Sequence, residues 1–163
     1  MSDAARQDAG VGTRLTRAWR VLSPLPGGRW LFSRLLGWTV RYSGTIGPRV
    51  EALEPGRAVL TMRDRRGVRN HLRSVHAIAL ANLGELSSGL AAAAAMPAGV
   101  RGIPVRISIE YRKKARGTIT AHGSASFPAV TAPVRAEARA SLEDSAGDVV
   151  AAMTVEWALE PVP

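Results

Sequence analysis

The chain has 163 residues, enough for one domain with a substantial core, and its 46% hydrophobic and 21% charged content is ordinary for a globular protein. It has no cysteine, which excludes a disulfide framework, a thiol nucleophile and a cysteine-based metal site, and its three histidines lack metal-like spacing, so no metal is expected. The net charge of +9 comes almost wholly from arginine and suits an anionic partner.

Residues 1–12 are polar, contain glycine and show no period, and read as a disordered tail. The opening MSDAARQDAG lacks a basic segment followed by an apolar run, so a cytoplasmic location is expected. Residues 13–41 read as two short amphipathic helices. Leu15, Trp19 and Leu22 recur at helical spacing, as do Trp30, Leu31, Leu35 and Trp38, and Pro24 to Gly28 separates the two runs. One reading is peripheral membrane contact through basic and aromatic groups of 13–40. The favoured reading is a pair of helices packed outside a sheet, because short helices gain most stability from packing.

Residues 42–160 read as one further unit. Tyr42–Glu54 is expected to be a strand, with Gly44, Gly47 and Pro48 marking a bulge or an edge. Pro55-Gly56 fits a type II turn into a return strand, Ala58–Arg63. A basic loop, Asp64–Arg73, then leads into the stretch around which the chain is organised.

Residues 74–96 predict one helix, rich in Ala and Leu and uninterrupted by proline. It is apolar nearly all round and should be buried all round. Its length would suit a membrane span, but Asn82, Gly84, Glu85, Ser87 and Ser88 at its centre argue against one. A carboxylate buried there is costly unless it has a partner or a role. Glu85 is therefore either a catalytic group or a structural carboxyl bonded to Ser88 or Tyr111.

Four strands should follow. Val105, Ile107, Ile109 and Tyr111 alternate with Arg106, Ser108, Glu110 and Arg112, the period of a half-buried strand. Gly117–Phe127, Val134–Leu142 and Val149–Leu159 complete the set. Two strands, one long helix and four strands with short turns predict an α+β fold, a six-stranded antiparallel sheet wrapped around the helix.

This order, with the residues at the helix start, resembles the hotdog-fold acyl-CoA thioesterases. The phenylacetate-pathway type and a related thioesterase-like domain of unknown function are the nearest in pattern. Those proteins carry an Asn, a Val-His-Gly-Gly-like helix start and an acid nine residues after the His. Here Asn70, Val75-His76-Ala77 and Glu85 stand at those places. Ile109–Gly117 resembles the family's strand ending in a basic loop before Gly. Ala77-Ile78 replaces the Gly-Gly and adds bulk where the substrate carbonyl would approach a backbone N–H.

The resemblance implies thioester hydrolysis of an acyl-CoA. Glu85 would be general base or nucleophile, Asn70 would hold water, His76 would orient the loop or substrate, and the N–H near Ala77 would polarise the carbonyl. Arg112, Lys113, Lys114 and Arg116, with Arg65 and Arg66, would grip coenzyme A phosphates, coenzyme A being part of the substrate and no separate cofactor being expected. Nine residues at about 100° each set Glu85 opposite His76 on the helix. A site shared between the two antiparallel helices of a dimer would resolve this, and the resemblance implies that arrangement, in a homodimer or tetramer. A different class remains open, a noncatalytic acyl-CoA or lipid-binding module. Nucleic acid is not expected as a partner, since charge alone would support it.

Overall fold

The computed structural model describes residues 10–162. Most of the expected disordered tail lies outside the described residues, but Val11 and Gly12 are already helical. The elements are α1 (Val11–Leu22), α2 (Gly28–Thr39), a short α3 (Arg41–Gly44), β1 (Arg49–Glu54), β2 (Arg57–Met62), α4 (Ala77–Ala95), β3 (Val100–Tyr111), β4 (Ile119–Ala125), β5 (Val134–Glu143) and β6 (Val149–Pro161). The six strands form one antiparallel sheet in the order β1-β2-β4-β5-β6-β3. The sheet curls around α4, the arrangement of the hotdog fold.

The expected turn is present. Glu54 pairs with Arg57 across Pro55-Gly56, and Gly56 has φ +77°, which an L side chain would resist. The helix is shorter at its start than 74–96 suggests, because His76 is its N-cap in extended backbone, Val75 bridges to Arg69 and Ser74 belongs to the preceding loop. Leu80, Leu83, Leu86 and Leu90 are buried against the sheet, each worth roughly 1.5–3 kcal/mol. Ser87 and Ser88 are fully buried, and both hydroxyls donate to the Gly84 carbonyl, so neither is left unsatisfied. The helix backbone rests directly on β4. A Cβ at Gly123 would sit 2.1 Å from the Ser87 carbonyl oxygen, so only glycine permits this approach.

The segment expected as one strand, Tyr42–Glu54, is split. Arg41–Gly44 forms a helical turn, and β1 begins only at Arg49. Close packing explains the split, since a Cβ at Gly44 would lie 2.3 Å from the Gly37 carbonyl oxygen of α2. The N-terminal helices do not simply cap the sheet. Gly12 of α1 meets the backbone of Ala93 in α4, Trp19 of α1 packs edge-on to Phe32 of α2 at 5.1 Å, and the Ser33 hydroxyl of α2 accepts the Val50 N–H of β1.

A second correction concerns β3. The half-buried face expected there is largely uncovered in the single chain: Val105 is 42%, Ile107 50% and Tyr111 44% exposed, while Ile109 packs against the core. Ile107 and Ile109 pair with Val155 and Met153, so they share the concave, helix-bearing face of the sheet. The reason is position: β3 is the edge strand beyond β6, and α4 meets it at Tyr111 rather than along its length.

Candidate functional site

Three loops converge on the start of α4. The Val75 N–H donates to the Ala115 carbonyl at 2.9 Å, and the His76 N–H donates to the Val68 carbonyl at 2.8 Å. Asp64 ties the outer two loops together. One carboxylate oxygen receives the Arg69 guanidinium at 2.6 Å, and the other accepts the Gly117 N–H at 3.0 Å. The hydrogen bond from Arg69 is the main reason the Asp64 carboxyl is held below its ordinary value, against the opposing effect of burial.

Asn70 shapes the loop that enters the helix. Its side-chain carbonyl oxygen accepts from the Leu72 N–H, the Ser74 N–H and the Ser74 hydroxyl at 2.9–3.2 Å. The Nδ2 amide is the side-chain group left to meet a water or ligand. This tight loop forces Arg73 to φ +56°, the one non-glycine residue in the left-handed region among the described residues. His76 caps α4, its Nδ1 accepting the Ile78 N–H at 3.0 Å, which places the proton of the neutral ring on Nε2. Ala77 and Ala79 keep first-turn N–H groups with no intrahelical acceptor, at the positive end of the helix dipole. The Tyr111 hydroxyl donates to the Ala77 carbonyl at 3.0 Å and fixes β3 to the helix start.

Glu85 is half-buried near the middle of α4, on a less-covered stripe with Ile78, Ala81 and Gly89. Among the described residues, no group hydrogen-bonds or ion-pairs with its carboxylate, and burial alone pushes its pKa above 4.5. The structural partners expected as alternatives are engaged elsewhere: Ser88 with the Gly84 and Glu85 carbonyls, Tyr111 with Ala77. Glu85 stands nine residues beyond His76, roughly 13 Å along the axis. One chain thus gathers Asn70, His76, Ala77 and the basic loop, and keeps Glu85 apart from them.

The basic loop divides. Lys113 is held by Asp148 at 2.6 Å and Asp144 at 3.0 Å, and Arg112 pairs with Glu110 at 3.4 Å. Arg65 donates to the Thr45 carbonyl at 2.7 Å. Lys114 and Arg116 are in no ion pair among the described residues.

Sequence reasoning undervalued Asn82, which it weighed only against a membrane span. Asn82 is 8% exposed; its Nδ2 makes a long 3.4 Å contact to the Tyr42 carbonyl, and its Oδ1 has no partner among the described residues. It lines a cleft of about 240 Å³ together with Tyr42, Ile46, Val68, His76 and Ile78. A polar residue three before Glu85 on an otherwise apolar helix was the available signal.

Residues 28–159 match the family model described as a domain of unknown function, DUF4442. The chain belongs to that family. The match takes in α2 and α3 as well as the sheet and α4, and no curated protein matches the chain. Among solved structures, a structural-genomics protein shares 27% identity at TM-score 0.79, over 91% of this chain and 99% of its own. A protein of unknown function from Pseudomonas aeruginosa, described as a probable thioesterase, shares 25% identity at TM-score 0.71, over 84% of this chain and 97% of its own. A hypothetical thioesterase from Streptococcus pneumoniae, solved with coenzyme A, has the same fold at TM-score 0.65 with 18% identity, over 77% of this chain and 98% of its own. The DUF4442 chain is thus a thioesterase-like hotdog protein.

Proposed function

We propose that this protein hydrolyses acyl-CoA thioesters as a homodimer, with Glu85 as general base. The observation that carries the reading is the Glu85 carboxylate, half-buried mid-helix, without a partner among the described residues and raised by burial toward the range useful for a base. Ser88 and Tyr111, the partners a structural carboxyl would use, bond elsewhere.

The Glu85 carboxylate takes a proton from water, and the water oxygen bonds to the thioester carbonyl carbon. The developing oxyanion is held by first-turn N–H groups near Ala77. The C–S bond then breaks, the thiolate takes up a proton, and free acid and coenzyme A leave. Glu85 as direct nucleophile would give the same products through an acyl-enzyme anhydride. The dimer supplies what one chain lacks, Glu85 of one subunit opposite the helix start of the other. Lys114, Arg116 and Arg66 would meet the coenzyme A phosphates beside that helix start. The substrate class fits a cytoplasmic location. Support for the substrate class includes the Streptococcus pneumoniae neighbour solved with coenzyme A.

One observation favours a second reading, a noncatalytic acyl-CoA or lipid-binding module. Ile78, 56% exposed, stands where a glycine would leave the carbonyl free to approach. A hydrolysis screen over acyl-CoA chain lengths tests both, read by a thiol reagent. The protein has no cysteine, so every thiol detected is released coenzyme A. Thiol release at one or more chain lengths is expected. Saturable binding without release would replace the enzyme by the binding module, and neither binding nor release would defeat both.

A further inference from the structure

The N-terminal layer carries a surface that the proposed reaction does not use. Residues 10–50 contain seven arginines and no aspartate or glutamate. On α2, Phe32, Ser33 and Leu36 are buried, and Ser33 pins the helix to β1 through Val50. The opposite stripe leaves Trp30 59%, Leu31 42%, Leu35 43% and Trp38 65% exposed. Arg34 lies between them, its guanidinium 5.9 Å from the Trp30 ring and 5.6 Å from the Trp38 ring. The stripe continues through Val40 to Tyr42, 68% exposed, which also lines the cleft beside His76.

We propose that this face docks on an anionic phospholipid surface. Two indoles, two leucines and a guanidinium on one stripe match the bilayer interface, where indoles sit at headgroup level and aliphatic side chains reach the hydrocarbon. Arg29 and Arg49 lean on Glu51, but Arg34 and Arg41 beside the stripe form no ion pair among the described residues and are drawn to anionic headgroups. The stripe is already helical and anchored from behind, so docking costs little ordering entropy. Charge disfavours a second copy as occupant, because a two-fold interface would set this arginine-rich face against itself. Nucleic acid would use the arginines and indoles but leaves Leu31, Leu35 and Val40 without a partner. Docking here would set the cleft mouth next to the lipid, where long-chain acyl thioesters partition. The proposal concerns binding and does not depend on hydrolysis.

The test is co-sedimentation, without substrate, with vesicles of phosphatidylcholine alone and of phosphatidylcholine mixed with phosphatidylglycerol. Each is run at about 0.1 M and about 0.5 M salt. Tryptophan emission is recorded alongside. Wild type should sediment with the anionic vesicles, more weakly at high salt, and its emission should shift to the blue. The Trp30→Ala, Trp38→Ala double variant should bind about tenfold less or weaker still and lose the shift. Arg34→Ser with Arg41→Ser should weaken binding to anionic vesicles at low salt. All these side chains are exposed, so circular dichroism and Tm should match wild type. Failure to bind anionic vesicles overturns the proposal, as does equal binding by both variants. A change of oligomeric state in the tryptophan variant, or retention of nucleic acid without vesicle binding, overturns it in favour of those occupants.

Discussion

Replacing Glu85 by Gln keeps the side-chain shape and removes the reactive carboxylate. Two effects follow, with opposite signs for function and stability. Loss of a general base costs about 10²–10⁴ in rate, or about 3–6 kcal/mol of transition-state stabilisation. Folding should not suffer. Burial raises the Glu85 pKa above 4.5 in the native state, so the native protein binds that proton more tightly than the unfolded chain does. Stability is therefore lost as pH rises from about the unfolded value through the raised native value, and the cost persists at neutral pH. Glu85→Gln should melt higher than wild type at pH 7, and the gap should close as pH falls below 4.5. Residual solvent contact limits the gain to about 1 kcal/mol, or about 2–4 °C in Tm for a chain of this size.

Both effects come from one pair of proteins. Hydrolysis of the best acyl-CoA gives kcat/KM from pH 4 to 9, and thermal melts cover the same range. Wild-type kcat/KM should climb as the carboxyl ionises, and the residual rate of the variant should lack that limb. Equal rates would refute the catalytic assignment. A lower Tm for the variant at neutral pH would refute the claim that the carboxylate has no structural partner.

The other predictions address assembly, binding and packing. Ile107→Arg, in the middle of the uncovered β3 face, should convert a dimer to monomer by light scattering and abolish hydrolysis; a persisting dimer would remove β3 from the interface. Lys114→Ala with Arg116→Ala should weaken coenzyme A binding and flatten its salt dependence by calorimetry. Lys113→Ala should leave binding near wild type, because that ammonium is already held by Asp148 and Asp144. Gly123→Ala should cost about 3 kcal/mol or more by denaturant unfolding, since the new methyl would overlap the Ser87 carbonyl of α4; a neutral result would mean the helix and β4 are not in backbone contact.

Much of the fold was legible because it rests on signals that act locally. Pro55-Gly56 dictates its turn, the Ala/Leu run dictates α4, and the alternation of 105–111 dictates a strand. What the sequence hid depends on contacts between distant segments. Gly44 reads as a bulge in a strand, yet it is a glycine because α3 packs against the backbone of Gly37. Alternation in β3 announces an apolar face and is silent on what covers it, α4 or another molecule. The same limit applies at the site. Glu85 was conspicuous as a charge in an apolar run, but that it has no partner among the described residues is a three-dimensional fact. Asn82 is buried with its Nδ2 toward the Tyr42 carbonyl of α3, far away in sequence, and its Oδ1 unmatched among the described residues. Arg73 carries no mark of its positive φ, which the hydrogen bonds of Asn70 impose.

Three features of the single chain would each be a liability in an isolated molecule: the uncovered apolar face of β3, the exposed Ile78 on the stripe of Glu85, and the unpaired carboxylate itself. A two-fold partner docked edge to edge at β3 would cover all three together. Helix geometry then sets the position of the axis. Two antiparallel copies of α4 bring position 76 of one opposite position 85 of the other only if they cross midway, near residues 80 and 81. Ala81 stands there on the less-covered stripe, with Gly89 further along it, and both are small enough for close approach. A bulky side chain at 81 would hold the helices apart and open each half-site. In the proposed dimer the small residues beside Glu85 would serve the assembly, and the carboxylate would find its working surroundings in the second subunit.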